Sequence, residues 1–395
     1  MNQAASSPDD HLVHEAYGPP LRPREAAAAI AIGVVSLLLA GVLSVMLGSL
    51  VDEHRLSAPG IGLAAMLEAL VMGATTGLCA MALKPARLKL IATVASLVLA
   101  TVNLSMLGVH DAGVFVVRGV AGVPEGVLLW ITIGMIARTQ TPERWAAVLF
   151  TALTLAQFIT SAAFAAWVIP MWRANGGFAV IAATCLAGVV AAAYLPSAYV
   201  PLPDGGADGG PPPARGWIAL AATLIFVSAA AAVGIYIQPL AEQAGLSPGV
   251  ARFAVTCSLA AQVGGGVLAT LAAGRIGYFI VFVLATIASI AVFFIYGSAA
   301  PAWLFVAATA FGGLVNLFLT PFLVPMTIEA DPSRRAAVQS GAAQLLGAAL
   351  GPLLASRVVS AQNIHGALYL GTALLLTGLA MIAGLHFTAK RAPRA

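Results

Sequence analysis

The chain has 395 residues, 60% of them hydrophobic and only 9% charged, with a net charge of +4 and a mean hydropathy of +0.96. Soluble globular chains carry about 25% charged residues, so this composition excludes one and describes an all-α polytopic membrane protein.

In chain order, the first stretch is a polar tail, residues 1–25, with Pro19, Pro20 and Pro23 and no apolar core followed by a cleavage site. It reads as a cytoplasmic tail, not as a signal peptide. Twelve apolar runs follow, each long enough for the roughly 20 residues that a spanning helix needs. They lie near 26–50, 58–82, 87–108, 112–137, 145–171 and 176–196, then near 216–240, 250–273, 276–298, 301–326, 337–359 and 365–388. Between the sixes runs PSAYVPLPDGGADGGPPPAR, Pro196 to Arg215, whose Pro, Gly and Asp content predicts a flexible, solvated linker. The predicted units are a bundle over 26–196, a linker over 197–215, a bundle over 216–388 and a basic tail over 389–395.

PERWAAV at Pro142–Val148 returns as PSRRAAV at Pro332–Val338, 190 residues on. The same offset carries the first apolar run onto the seventh, and the Lys84–Arg87 turn onto Gly274–Gly277. Three matches at one offset predict a duplicated half. If the N-terminus is cytoplasmic, fourteen Lys and Arg residues fall inside and only Arg55, Arg173, Arg252 and Arg357 outside. That bias predicts cytoplasmic termini.

Three ionisable residues lie within the runs. Glu68 is about ten residues into the second, roughly 15 Å deep, and Glu125 is near mid-membrane in the fourth. Arg118 lies seven residues before Glu125, which puts both on nearly one helix face. An unpaired intramembrane charge costs roughly 3 kcal/mol or more, so such groups face a protein interior or a wet cavity. Two carboxylates against one Arg leave one negative charge over, and the lower-energy state keeps a proton on one acid. Glu68, Glu125 and Arg118 are therefore the candidate proton-coupling site. The alternative is an Arg–Glu pair that only fixes helix packing.

The Arg118 fork also suits a carboxylate or phosphate on a solute. Gln157, Tyr236, Gln238, Gln262, Asn316 and Gln344 are polar residues at or near membrane depth that could hydrogen-bond a small neutral or anionic solute. For each Gln or Asn the competing role is a bond between helices. Gly119, Gly122 and Gly126 form a small-residue stripe around Pro124, suited to close helix packing and bending. Cys79, Cys185 and Cys257 have unrelated spacings and read as small core residues. Neither they nor the six His residues suggest a metal set.

Some of these segments carry a family likeness. RGVAGVPEG, Arg118 to Gly126, is similar to a fourth-helix motif of the major facilitator superfamily. LAAGRIGY, Leu271 to Tyr278, resembles its signature loop after the eighth helix, and GAALGPLL, Gly347 to Leu354, its eleventh-helix packing pattern. The loop after the second run, ALKPARLKL, lacks the Gly and Asp of that signature, and the fifth run lacks a Gly-Pro pair. The resemblance implies two six-helix halves about a pseudo-twofold axis. It implies alternating access, a central cavity lined by helices one, four, seven and ten, and gating by loop residues such as Arg275, Arg334 and Arg335. Glu329 and Asp331 beside those arginines read as a solvated turn that can also latch the halves.

The expected function is secondary transport of a small neutral or anionic solute, driven by a proton gradient, without a further cofactor. The expected partners are the solute and the lipid bilayer, not nucleic acid. A monomer in a bacterial inner membrane is expected. A non-transporting sensor or a channel on the same scaffold is the competing reading. No zinc, acyl-transfer or nucleotide motif supports an enzyme.

Overall fold

The computed structural model describes residues 22–56, 58–200, 211–360 and 363–389. Residues 1–21 of the predicted N-terminal tail, the middle of the linker and most of the C-terminal tail lie outside the described residues, and the last three residues of the predicted N-terminal tail begin the first helix. The described residues are helical, with two isolated bridges and no β-strand.

α1 (Pro23–Asp52) opens with Pro23 in its first turn, and the Glu25 carboxylate accepts from the Arg22 amide at 2.9 Å. This satisfies a donor that the helix itself cannot use. α2 (Ala58–Ala82), α3 (Leu88–Ser105) and α4 (Ala112–Ile136) follow. α5 (Pro142–Ala163) passes through a π-helical turn (Phe164–Val168) into α6 (Ile169–Ala193). The second half holds α7 (Ala214–Gly234), a short α8 (Ile237–Gln243), α9 (Pro248–Ala272) and α10 (Tyr278–Gly297). It ends with α11 (Ala302–Leu319), a 3₁₀ turn (Thr320–Phe322), α12 (Leu323–Ala330), α13 (Arg335–Ala355) and α14 (His365–Ala389).

Among the described residues, eleven helical runs are long and apolar enough to cross a membrane. One of them, Pro142–Ala193, has 52 residues, more than twice what a bilayer requires. It serves as the fifth and sixth crossings, which gives the twelve expected. The loop expected between those two crossings is absent. The helix breaks instead at Arg173, with φ 56° and ψ −161°, and Glu53 of α1's far end accepts the Ala174 amide at 2.7 Å.

The duplication is visible in the helices. α2, α3 and α4 begin at Ala58, Leu88 and Ala112; α9, α10 and α11 begin at Pro248, Tyr278 and Ala302, each 190 residues on. Packing repeats likewise. α2 lies along α4 as α9 lies along α11, and α1 packs on α5 and α6 as α7 packs on α13 and α14. The two halves meet along α2 with α13 and along α5 with α9. The molecule is an integral membrane protein of two pseudo-symmetric six-helix bundles.

The halves differ inside. Buried apolar residues of the first half form one continuous cluster, whereas those of the second fall mainly into two. Arg55, 4% exposed, also ties the first half together at one end. It donates to the carbonyls of Val109 (3.0 Å) and Met106 (2.5 Å) and to Asn175 Oδ1 (2.7 Å), and it pairs with Glu53 at 3.3 Å.

Of the predicted glycine stripe, Gly122 and Gly126 are contact residues. A Cβ on Gly122 would lie 2.6 Å from the Glu68 carbonyl, and one on Gly126 2.6 Å from the Met72 carbonyl. Gly119 has nothing within 4 Å and takes no part in this contact. We therefore expect Gly126→Val to force α2 and α4 apart, at about 1–3 kcal/mol or more. In detergent its thermal unfolding midpoint should drop by several degrees, while Gly119→Ala should unfold like the wild type.

Candidate functional site

α2, α3 and α4 converge on Arg118, which is completely buried. The register of α4 points Arg118 and Glu125 the same way, and the Gly122 and Gly126 contacts bring α2 close enough for Glu68 to reach them. Arg118 Nε donates to Glu68 Oε2 at 2.9 Å, and Nη2 pairs with Glu68 Oε1. Nη1 donates to Asn103 Oδ1 of α3 at 3.2 Å, and Glu125 Oε1 is 3.6 Å from Nη2. Glu68 and Glu125 are 4% and 2% exposed. Two buried carboxyl groups thus face one guanidinium.

The surrounding backbone is held by hydroxyls. Ser36 of α1 donates to the Glu125 carbonyl at 2.8 Å, Thr76 of α2 to the Gly126 carbonyl at 3.1 Å, and Thr132 of α4 to the Ala29 carbonyl at 2.7 Å. Pro124 is accommodated inside α4 without ending it. The bidentate Arg118–Glu68 pair uses the fork that was expected to be open to a solute. In this structure Arg118 is sealed among α2, α3 and α4.

The other expected solute contacts scatter. Gln157 Nε2 donates to the Leu37 carbonyl at 2.8 Å, a bond between α5 and α1. Gln238 Nε2 donates to Glu242 at 3.0 Å along the exposed side of α8. Tyr236 sits at the α7–α8 junction against the Val233–Leu240 cluster. Gln344 is half-buried on α13. Gln262 and Asn316 do come together, across a cavity of about 280 Å³ within the second half. Ser258, Ser289 and Thr309 also line it. Those three escaped the sequence reading because Ser and Thr are common in spanning helices. Asn103 escaped it too, although a lone Asn in an apolar run was a usable signal.

The turn before α13 is not solvated as expected. Asp331 is 1% and Arg334 5% exposed. Asp331 accepts from Ser333 Oγ at 2.5 Å and from the Ala336 amide at 2.8 Å, which caps α13. Arg334, at φ 60°, donates to the carbonyls of Ala137 (2.7 Å) and Thr139 (2.8 Å), at the end of α4 in the other half. Glu329 accepts from Tyr278 at 2.7 Å and lies 3.2 Å from His386 Nδ1. Arg275 bonds its own helix end at the Leu271 carbonyl, and Arg335 lies near Trp130 and Tyr199. The start of the linker is anchored, not free. The Tyr199 amide donates to the Pro85 carbonyl at 3.0 Å, Arg138 donates to the Val200 carbonyl at 2.7 Å, and burial pushes the Tyr199 hydroxyl up.

Arg334 is therefore a bridge between halves. Hydrogen bonds from charged groups contribute about 1.5–3 kcal/mol. We expect Arg334→Gln to loosen this end of the molecule. A cysteine placed at buried Val338, behind the bridge, should then react severalfold faster with a maleimide than it does in an otherwise wild-type protein.

No family model matches the sequence, and no curated protein matches it. Solved structures do. The chain is similar to FucP, described as a major facilitator superfamily transporter in the outward conformation, with a TM-score of 0.70 at 12% identity, over 92% of this chain and 99% of that one. It is also similar to XylE, described as a proton:xylose symporter bound to 6-bromo-6-deoxy-D-glucose, with a TM-score of 0.68 at 11% identity, over 91% of this chain and 95% of that one. Two repeated six-helix bundles, packed in this order and matched over almost their whole length, give this chain the major facilitator superfamily fold.

Proposed function

We propose that the protein is a secondary active transporter of a small neutral or anionic organic solute, coupled to protons. It would work by alternating access between residues 26–196 and 216–388. The observation that carries this reading is the Arg118–Glu68–Glu125 cluster. One guanidinium faces two carboxylates in an apolar core, so its charge balances only when one acid is protonated. A proton that leaves this cluster leaves an uncompensated buried charge, and that cost is what a conformational change can relieve. The two structural neighbours, both described as transporters, support the same reading. The Arg334 bridge and the α2–α13 contact would close one entrance in one of two alternating states. We further propose a monomer in the plasma membrane with cytoplasmic termini, and no catalytic activity.

The test is uptake into proteoliposomes from a panel of labelled neutral and anionic solutes, with and without a pH gradient. Glu125→Gln and Glu68→Gln are each expected to lose gradient-driven accumulation by tenfold or more while still exchanging labelled for unlabelled solute across the membrane. Full accumulation by both variants would show that these carboxylates do not carry the proton.

A further inference from the structure

The second-half cavity and the first-half charge cluster occupy equivalent places in the repeat. Gly122 of α4 crosses α2 at the Glu68 carbonyl; Gly313 of α11 crosses α9 at the Ser258 carbonyl, 2.5 Å from where a Cβ would be. Glu68 and Ser258 are 190 residues apart, the offset of the helix starts. Arg118 lies four residues before its crossing glycine, as Thr309 does; Glu125 lies three after, as Asn316 does. Aligned on the crossing glycines, which are 191 residues apart and so one more than the helix starts, the three ionic positions of the first half correspond to Thr309, Ser258 and Asn316, and all three line the cavity.

The consequence is a division of chemistry. In the first half, charged side chains satisfy one another and fill the space between helices. In the second, shorter uncharged groups leave about 280 Å³ between the two apolar clusters, near the lower end of the roughly 300–1,000 Å³ of small-molecule sites. Every lining residue belongs to the second half, and none carries a charge. Phe226, Phe293 and Tyr296 supply apolar and aromatic wall. Among the described residues, the side chains of Ser258, Gln262, Ser289 and Asn316 have no hydrogen-bond partner, although each lies well inside a spanning run and Asn316 sits midway along Ala302–Ala330. Polar groups at that depth need a partner.

We infer that this cavity is a binding site, within the second half and separate from the path between the halves, for a small uncharged molecule with an apolar body and a hydrogen-bonding edge. This inference stands on the cavity itself and goes beyond the transport reading. A charged solute would be buried here without a counterion, at a cost that a neutral one avoids.

Binding to the purified full-length protein in nanodiscs, with no gradient, tests this separately from transport. The probe is 4-hydroxybenzyl alcohol, and the comparison is 4-hydroxybenzoate at neutral pH, the same ring with a negative charge. We expect saturable binding of the alcohol and binding of the anion at least about tenfold weaker. Gln262→Leu and Asn316→Leu should each weaken the alcohol about tenfold, as expected when a hydrogen bond is lost and its partner is stranded. Ser258→Ala, which removes only a hydroxyl, serves if either variant folds poorly. Absence of saturable binding overturns the assignment. So does equal binding of the anion, or wild-type affinity in the variants, as a lipid tail held by apolar walls would give. If any of these occurs while proton-driven uptake persists, the pocket assignment falls and the transport reading stands.

Discussion

A guanidinium at the centre of a helical bundle in lipid has few ways to exist. Arg118 exists there because Glu68 grips it in two places, Asn103 takes a third donor and Glu125 stands 3.6 Å away. Removing one partner from a buried pair costs about 3–5 kcal/mol, because the remaining charge is stranded. The cluster therefore dictates the close approach of α2 and α4, and that approach explains the glycines at 122 and 126 and the hydroxyls that hold the nearby carbonyls. The same constraint gives function its opening. With two acids and one base, the cluster holds one carboxylate more than its guanidinium neutralises, and the proposed proton coupling rests on that imbalance.

The duplicated second half inherits the helix plan without the charge. Its α9–α11 crossing repeats the α2–α4 crossing, yet Ser258, Thr309 and Asn316 stand where Glu68, Arg118 and Glu125 stand in the first half. Short polar residues neither fill the volume nor satisfy one another. The apolar core divides around them, and a cavity results. The first half has one continuous core, and Arg55 ties the end of α1, the α3–α4 loop and α6 together. The two copies thus differ in what they hold at this crossing, an ionic cluster in the first half and an uncharged cavity in the second.

Much of the fold was legible because lipid imposes it. Apolar runs of sufficient length must be helices, and the 190-residue offset exposed the duplication before any contact was known. The turn at Arg173 was not legible, since a single residue at positive φ does the work expected of a loop. The seven-residue spacing of Arg118 and Glu125 correctly placed them on one face. It could not tell that Glu68 would take both arms of the Arg118 fork, because that depends on the lateral position of α2. The polar candidates divided for a similar reason. Gln157 found a carbonyl on a neighbouring helix, whereas Gln262 and Asn316 found none. Nothing in the local sequence separates these cases, since the presence of a carbonyl within reach is a property of packing. The turn at Asp331 and Arg334 read as solvated because charged turns usually are, but the carbonyl ends of α4 in the other half draw Arg334 inward.

The central claim is that one proton is held between Glu68 and Glu125 in the resting protein. Infrared difference spectroscopy of the protein in lipid reads protonated and ionised carboxyl groups directly by their stretching bands. The account predicts one buried protonated carboxyl at neutral pH, shielded from bulk water, whose band vanishes in both Glu68→Gln and Glu125→Gln and persists in Glu329→Gln. A spectrum in which every carboxyl is ionised at neutral pH, or a protonated band unaffected by either substitution, would contradict it.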